Sequence, residues 1–139
     1  MKIFTLLSIV LYGIIGIVAM IMAMKCLFAR KFIPFHGKAA GILWEELPKT
    51  LQSVIIALNK AAGLGFLLTG MLLLAGPSLN YFRKEMMITI AIPLFSLIFC
   101  MGLFVINLRL YQDTKSATPR TGSLIACLIV LTAAVLAYL

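Results

Sequence analysis

The sequence predicts an all-α integral membrane protein, an antiparallel up-and-down four-helix bundle with an interfacial loop or short helix between helices 1 and 2. Three observations lead to this prediction. The 139 residues are 63% hydrophobic and only 12% charged, whereas soluble domains are roughly half apolar and a quarter charged. The apolar residues form four long runs, and most of the basic residues lie between the runs. The length is that of a single domain.

Each apolar run is long enough, or nearly so, for one spanning helix, which needs about 20 residues to cross roughly 30 Å of hydrocarbon. The predicted spans are about 3–25, 51–76, 86–110 and 122–139. Only helices and closed barrels satisfy their backbone in lipid, and these runs are too long for barrel strands. The first run also exceeds the apolar region of a signal peptide. We therefore interpret it as the first span.

The basic residues predict how the chain is oriented. Eight lie in or next to the first and third connections between the spans: Lys25, Arg30, Lys31, Lys38, Lys49, Arg109, Lys115 and Arg120. Three lie at the other end: Lys2, Arg83 and Lys84. Cytoplasmic loops are enriched in lysine and arginine, so both termini are predicted to be outside. Membrane topology thus accounts for the net charge of +8, and the expected partner is the lipid bilayer and not nucleic acid.

The second span contains a lysine, in the segment VIIALNKAAGLGFLLTG. Helical periodicity places Lys60 on one stripe with large apolar residues, which predicts a face toward lipid: Leu64, Leu67, Met71 and Leu74. A second stripe is small and polar and predicts a helix contact: Gln52, Asn59, Gly63 and Gly70. Lys60 is expected roughly 6 Å inside the cytoplasmic edge. A snorkelling anchor is favoured there over an internal functional charge.

The third span has one polar face, and its residues predict either helix contacts, which are favoured, or the lining of a small cavity: Thr89, Pro93, Ser96, Cys100 and Asn107. The first and fourth spans add small residues suited to close packing: Gly16, Ala19, Ala23, Ser123, Ala126, Cys127, Ala133, Ala134 and Ala137. Asn59 and Asn107 are expected at the same depth. They are predicted to bond each other or to form the floor of a pocket.

The first connection, KCLFARKFIPFHGKAAGILWEELPKT, mixes aromatic and basic residues in a way typical of the membrane–water interface. We expect a turn in FIPFHG and a short interfacial helix in KAAGILWEEL. His36, with Glu45 and Glu46, suits a general base or a metal ligand, but an interfacial polar loop is favoured. The three cysteines form no CxxC pair. The sequence therefore predicts no catalytic set, no metal site and no cofactor.

A resemblance adds to this interpretation. The segment FIPFHGKAAGILWEELPKTLQSVIIALNKAAGLGFLLTG, with SATPRTG before the last span, resembles a group of small bacterial four-helix membrane proteins without an assigned activity. The resemblance runs from Phe32 to the end and rests on Pro34, His36, Trp44, Leu47, Gln52, Gly63, Gly70, Thr118 and Pro119. It implies a four-helix fold in a bacterial inner membrane and supplies no catalytic residue. In architecture alone the chain is also similar to DoxX-like proteins.

Two functions stay open at this point, and with them the question of enzymatic activity. The first is a non-enzymatic structural, accessory or lipid- or partner-binding bundle, either a homo-oligomer or a subunit of a membrane complex. The second is a binding protein or enzyme with a cytoplasm-facing pocket for a quinone, a lipid or a thiol conjugate. The residues expected to form such a pocket are His36, Glu45, Glu46, Gln52, Asn59, Lys60, Asn107 and Arg109.

Overall fold

A computed structural model describes residues 2–83, 86–116 and 118–138, with side chains except at 2, 35, 78–83, 86–89 and 138. Over this part the chain is helical and contains no β-strand. Its helices are α1 (Lys2–Leu27), α2 (Pro34–Ala40), α3 (Lys49–Arg83), α4 (Met86–Thr114) and α5 (Arg120–Tyr138), with a 3₁₀ turn at Trp44–Glu46. Within the described ranges, α1, α3, α4 and α5 are long and apolar enough to cross a membrane.

The second long helix extends past the span predicted for it. Gly76 and Pro77 form a dipeptide that often marks a turn, yet α3 continues through Pro77 to Arg83. The other long helix with an internal proline is α4, which contains Pro93. Prolines inside membrane helices are tolerated because neighbouring groups satisfy the freed backbone. The predicted connection after residue 76 is therefore helical as far as Arg83, and Lys84 lies outside the described residues.

The first connection folds differently from the prediction. Pro34 begins α2 and does not form a turn, because the first position of a helix needs no backbone N–H. Gly41 ends α2 with a left-handed φ of 63°, and its N–H donates to the Gly37 carbonyl over 3.2 Å. The expected helix in KAAGILWEEL is thus divided by Gly41 into the end of α2 and the 3₁₀ turn.

Side-chain hydrogen bonds and a ring contact hold this connection against the start of α3. The Gln52 side-chain amide donates to the carbonyl oxygens of Trp44, at 2.9 Å, and Leu47, at 3.0 Å. The Trp44 ring in turn packs edge-on against Phe32, with 5.0 Å between the ring centroids. Gln52 therefore joins the start of α3 to the 3₁₀ turn, and it adds a second hydrogen bond to the Trp44 carbonyl, which also accepts from the Leu47 N–H over 3.3 Å.

The core lies between the four long helices. It is an apolar cluster formed by Tyr12, Ile15, Leu73, Ile92, Val130 and Ala133. In the described part of the chain, α1 packs against α3 and α5, α4 packs against the same two helices, and α2 lies on α4. The cluster thus takes residues from all four long helices.

Contacts between neighbouring helices run in opposite directions along the chain. A Cβ built on Gly16 of α1 would contact Leu74 of α3. A Cβ built on Gly63 of α3 would contact Leu27, near the end of α1. On the other side, Cys100 of α4 meets Cys127 of α5, and Tyr111 meets Arg120. In both pairs of helices, later residues of the first helix contact earlier residues of the second helix.

Candidate functional site

The small, polar stripe of α3 forms a helix contact, as predicted. Asn59, Gly63 and Gly70 are buried, and Gln52 is half-buried. A Cβ built on Gly63 would lie 2.9 Å from the Cγ of Leu27, and one built on Gly70 would lie 3.1 Å from the Gly16 carbonyl oxygen. These distances leave no room for a larger side chain. The stripe therefore lets α3 approach α1 closely.

Lys60 lies on an exposed face of α3, and the contact of this face with lipid stays a prediction. Its side chain is exposed, and Leu64 and Met71 on the same stripe are 58% and 55% exposed. Leu67 is half-buried, and the Leu74 side chain lies over Gly16. The stripe therefore turns away from the core along most of its length.

The depth of Lys60 relative to α1 also follows from the contacts. Gly63 packs against Leu27, where α1 ends. Lys60 lies three residues earlier on α3, about 4.5 Å farther along the axis at 1.5 Å per residue. It is therefore level with the chain that follows α1. The last turn of α1, which contains Lys25, ends before that point.

The polar face of α4 is buried, which favours the predicted helix contacts over a cavity lining. Pro93, Ser96, Cys100 and Asn107 are all buried, and the side chain of Thr89 lies outside the described residues. The small residues of α1 behave in the same way, since Gly16, Ala19 and Ala23 are buried. On α5, Cys127 and Ala133 are buried, and the others predicted are half-buried: Ser123, Ala126, Ala134 and Ala137.

The predicted hydrogen bond between the two asparagine side chains is not formed. Asn59 is 4% exposed, and its Nδ2 has no hydrogen-bond partner among the described residues. Its stripe turns toward α1, as the contacts of Gly63 and Gly70 show. Asn107 lies on α4 beside the next connection, where its backbone carbonyl accepts a bond from the Thr118 hydroxyl over 3.0 Å. The two residues therefore serve different helix contacts.

The connection between α4 and α5 is held by several local contacts. Lys115 adopts a left-handed φ of 54°, next to a Thr114 hydroxyl that accepts from the Ser116 N–H over 3.3 Å. The Ser116 hydroxyl donates to the Lys38 carbonyl of α2, also over 3.3 Å. The Arg120 guanidinium stacks 3.7 Å above the Tyr111 ring centroid. Arg120 is thus engaged in a cation–π contact within the protein.

The residues suspected of chemistry are distributed over separate elements. His36 is half-buried on α2, and this burial lowers the pKa of its imidazole below the ordinary value of 6.5. Glu45 and Glu46 are exposed on the 3₁₀ turn, and Arg109 is exposed on α4. Over the described ranges, no three His, Cys, Asp or Glu side chains come together as a metal site would require. The eight predicted pocket residues are distributed over α2, the 3₁₀ turn, α3 and α4, and a pocket formed by them stays a prediction.

The structure adds buried polar residues that the sequence analysis missed. Ser8 is buried, and its hydroxyl donates to the Ala133 carbonyl of α5 over 2.7 Å. Tyr12 is 4% exposed and belongs to the core cluster. The spacing of Ser8, Tyr12, Ile15 and Ala19 follows one face of a helix. That periodicity is the signal that would have found them.

An apolar concavity lies on the outer surface. It is a shallow apolar groove of about 600 Å³ along one face of α4, lined by Leu97, Ile98, Met101, Gly102, Val105 and Ile106. A groove formed by a single helix faces the surroundings and not the core.

Comparison with known proteins assigns no relative. No protein-family profile, no curated protein and no solved structure matches this chain. The resemblance noted from the sequence therefore carries no residue role, and the function has to be argued from the fold and its surfaces.

Proposed function

We propose that this chain is a multi-pass integral membrane protein that acts as a non-enzymatic structural, accessory or lipid-binding bundle. Its four long helices cross the membrane up and down in antiparallel order, as in a bacterial inner membrane. The observation that carries the proposal is the distribution of apolar surface. Large apolar side chains cover the outside of the long helices, among them Leu6, Ile17, Leu68, Ile98, Ile106 and Leu128, each more than half exposed.

Such a surface does not suit water. Soluble monomers rarely expose contiguous apolar patches beyond a few hundred Å². In this chain, small or polar residues such as Ala23, Gly70 and Ser96 are buried beside the large residues of the core cluster, while many other bulky side chains are exposed. In lipid, where apolar side chains gain nothing by packing inside, small residues at helix contacts are the expected arrangement. This distribution supports a bilayer as the surrounding solvent.

The direction of the helix contacts supports an up-and-down order. Between α1 and α3, and between α4 and α5, later residues of the first helix contact earlier residues of the second helix. Four such spans leave both termini on one side. The excess of lysine and arginine at the ends joined by the first and third connections supports a cytoplasmic location for those ends, with both termini outside.

An apolar cluster shared by the four long helices favours the bundle over the alternative of a ligand pocket. A binding protein or enzyme for an amphipathic molecule needs a cavity between its helices. Here Tyr12, Leu73 and Val130 belong to a cluster that occupies the space between the long helices. The predicted proton-transfer residues His36, Glu45 and Glu46 lie on the connection, at a different place from that cluster. A ligand that co-purifies with the protein and contacts the core would favour the alternative.

Membrane extraction tests the proposal. Membranes from cells that express the full chain are washed with alkaline carbonate, which removes peripheral proteins and leaves integral ones. We expect the chain to stay in the pellet and to enter solution only with detergent. Release by carbonate alone would overturn the proposed function. A peripheral protein from the same membranes serves as the control for the wash.

A further inference from the structure

Three exposed cations lie where α3 passes the chain that follows α1. They are Lys60 on α3, with Arg30 and Lys31 in the chain just after α1, and all three side chains are exposed. A Cβ built on Gly63 would lie 2.9 Å from the Cγ of Leu27, which fixes the level of the two helices. Lys60 precedes Gly63 by three residues and Arg30 follows Leu27 by three. Phe32, which follows Lys31, packs against Trp44, whose carbonyl accepts from Gln52 of α3. The segment with Arg30 and Lys31 therefore runs between a contact at the level of Gly63 and a contact near Gln52, and Lys60 lies between these two positions on α3.

These cations have no counter-ion within the described part of the protein. No carboxylate in residues 2–83, 86–116 and 118–138 lies within the 4.0 Å of an ion pair from any of the three. The carboxylates in that part are Glu45, Glu46 and Asp113, which are exposed on other elements. A cluster of like charges is unfavourable unless an anion joins it. The surface is therefore complementary to an external anion.

The surface next to the cations identifies the kind of anion. From Lys60, the same face of α3 continues as an apolar strip through Leu64 and Met71, which are 58% and 55% exposed. Phe28, at the end of α1, is 72% exposed beside the cations. Free phosphate or a nucleotide has no group that would cover such a strip. A phospholipid has both parts, a phosphate and acyl chains directly beside it.

We propose that Lys60 and Arg30, flanked by Lys31, bind the phosphate of an anionic phospholipid whose acyl chain lies along Leu64 and Met71. This inference rests on the proposed membrane bundle and names the lipid class and the place where it binds. The ammonium and guanidinium donate hydrogen bonds to the phosphate oxygens. Lys60 then has a defined partner, which a snorkelling anchor does not require.

Native mass spectrometry of the detergent-solubilised full chain measures this binding. Phosphatidylglycerol and phosphatidylcholine with identical acyl chains are added separately, and the lipid-bound fraction is followed over a concentration series. The wild type should bind phosphatidylglycerol more tightly. Lys60→Gln should weaken that binding about fivefold, the effect of one basic residue beside an anionic lipid. Lys60→Arg should stay within about twofold of the wild type, because it keeps a phosphate-binding cation.

Lys38→Gln is the matched control, because it removes an exposed lysine of α2 and the same unit of charge. It should bind as the wild type does. Arg30→Gln is a second test outside the helices and should lower binding about as much as Lys60→Gln. Circular dichroism melting of each variant checks that the fold is kept.

Three results would overturn the proposal. One is an equal loss in Lys38→Gln and Lys60→Gln, which means that only net charge matters. Another is unchanged binding in both Lys60→Gln and Arg30→Gln. The third is displacement of phosphatidylglycerol by millimolar inorganic phosphate, which means that the site takes free phosphate. Each leaves the carbonate extraction unaffected, so failure of the lipid site and failure of the membrane bundle are separate outcomes.

Discussion

Gly16 of α1 and Gly70 of α3 lie so close together that a side chain at either position would press against the backbone of the other residue. A Cβ on Gly70 would lie 3.1 Å from the carbonyl oxygen of Gly16, and a Cβ on Gly16 would lie 3.3 Å from that of Gly70. Both glycines are buried. Dispersion between two backbones at this separation is a main source of helix association in lipid. At this pair the backbones of α1 and α3 approach each other closely.

Gly70→Ala should destabilise the protein by about 1–3 kcal/mol, the usual cost of overpacking. The new methyl group would meet the Gly16 carbonyl oxygen, which belongs to the backbone and moves only with α1, and the Met20 side chain at 2.9 Å. Thermal unfolding in detergent, followed by circular dichroism, measures the loss.

Gly13→Ala is the matched control, because nothing lies within 4 Å of a Cβ at that position. It should be neutral or stabilise α1 by about 0.5–1 kcal/mol, since alanine is the better helix former. Equal melting temperatures for Gly70→Ala and Gly13→Ala would contradict the close contact.

Asn59→Leu should keep or raise thermal stability. The Nδ2 of Asn59 is buried without a partner in the described structure, and such a donor costs about 1–3 kcal/mol. Leucine has the same number of side-chain heavy atoms in the same branched arrangement, and it removes the polar group. Ser8→Ala provides the contrast, because the Ser8 hydroxyl donates to the Ala133 carbonyl. That variant should lose about 0.6–2 kcal/mol, as for other hydrogen bonds between membrane helices. A large loss in Asn59→Leu would mean that the amide has a partner after all.

Stability should fall as the pH drops below about 6.5, in part through His36. Burial lowers the pKa of the folded imidazole below 6.5, so the unfolded chain binds a proton at a higher pH than the folded chain does. Stability then rises with pH in this window and is complete above 6.5. Melting temperatures between pH 7.5 and pH 5 measure the effect, and His36→Gln should flatten this part of the profile. A profile that is identical in both proteins would exclude His36 as the cause.

Helical periodicity was sufficient to predict which face of each long helix is buried. The spacing of Gly63 and Gly70 on α3, and of Ser96 and Asn107 on α4, separated the contact faces from the outward ones. The outward direction of Lys60 followed from the same argument. These predictions succeed because a helix fixes the angle between its own residues, whatever surrounds it.

Relations between helices could not be predicted in that way. Asn59 and Asn107 lie on buried faces at one end of the protein, but the rotation of α3 turns Asn59 toward α1. The residue pattern of a single helix does not tell how that helix is rotated about its axis relative to its neighbours. The short elements were also ambiguous, because Pro34 is as typical of a helix start as of a turn. Likewise, the continuation of α3 through Pro77 depends on tertiary surroundings that the local sequence does not reveal.

Single-cysteine labelling in intact cells tests the central claim, a four-span bundle with its basic ends in the cytoplasm. Cys26, Cys100 and Cys127 are replaced by alanine, and one cysteine is introduced at Lys38, Lys115 or Ser78, the last near the opposite end of α3. We predict that a membrane-impermeant maleimide labels position 78 in intact cells and labels positions 38 and 115 only after the membrane is opened. Labelling of 38 and 115 from opposite sides, or of all three positions in intact cells, would contradict the four-span bundle.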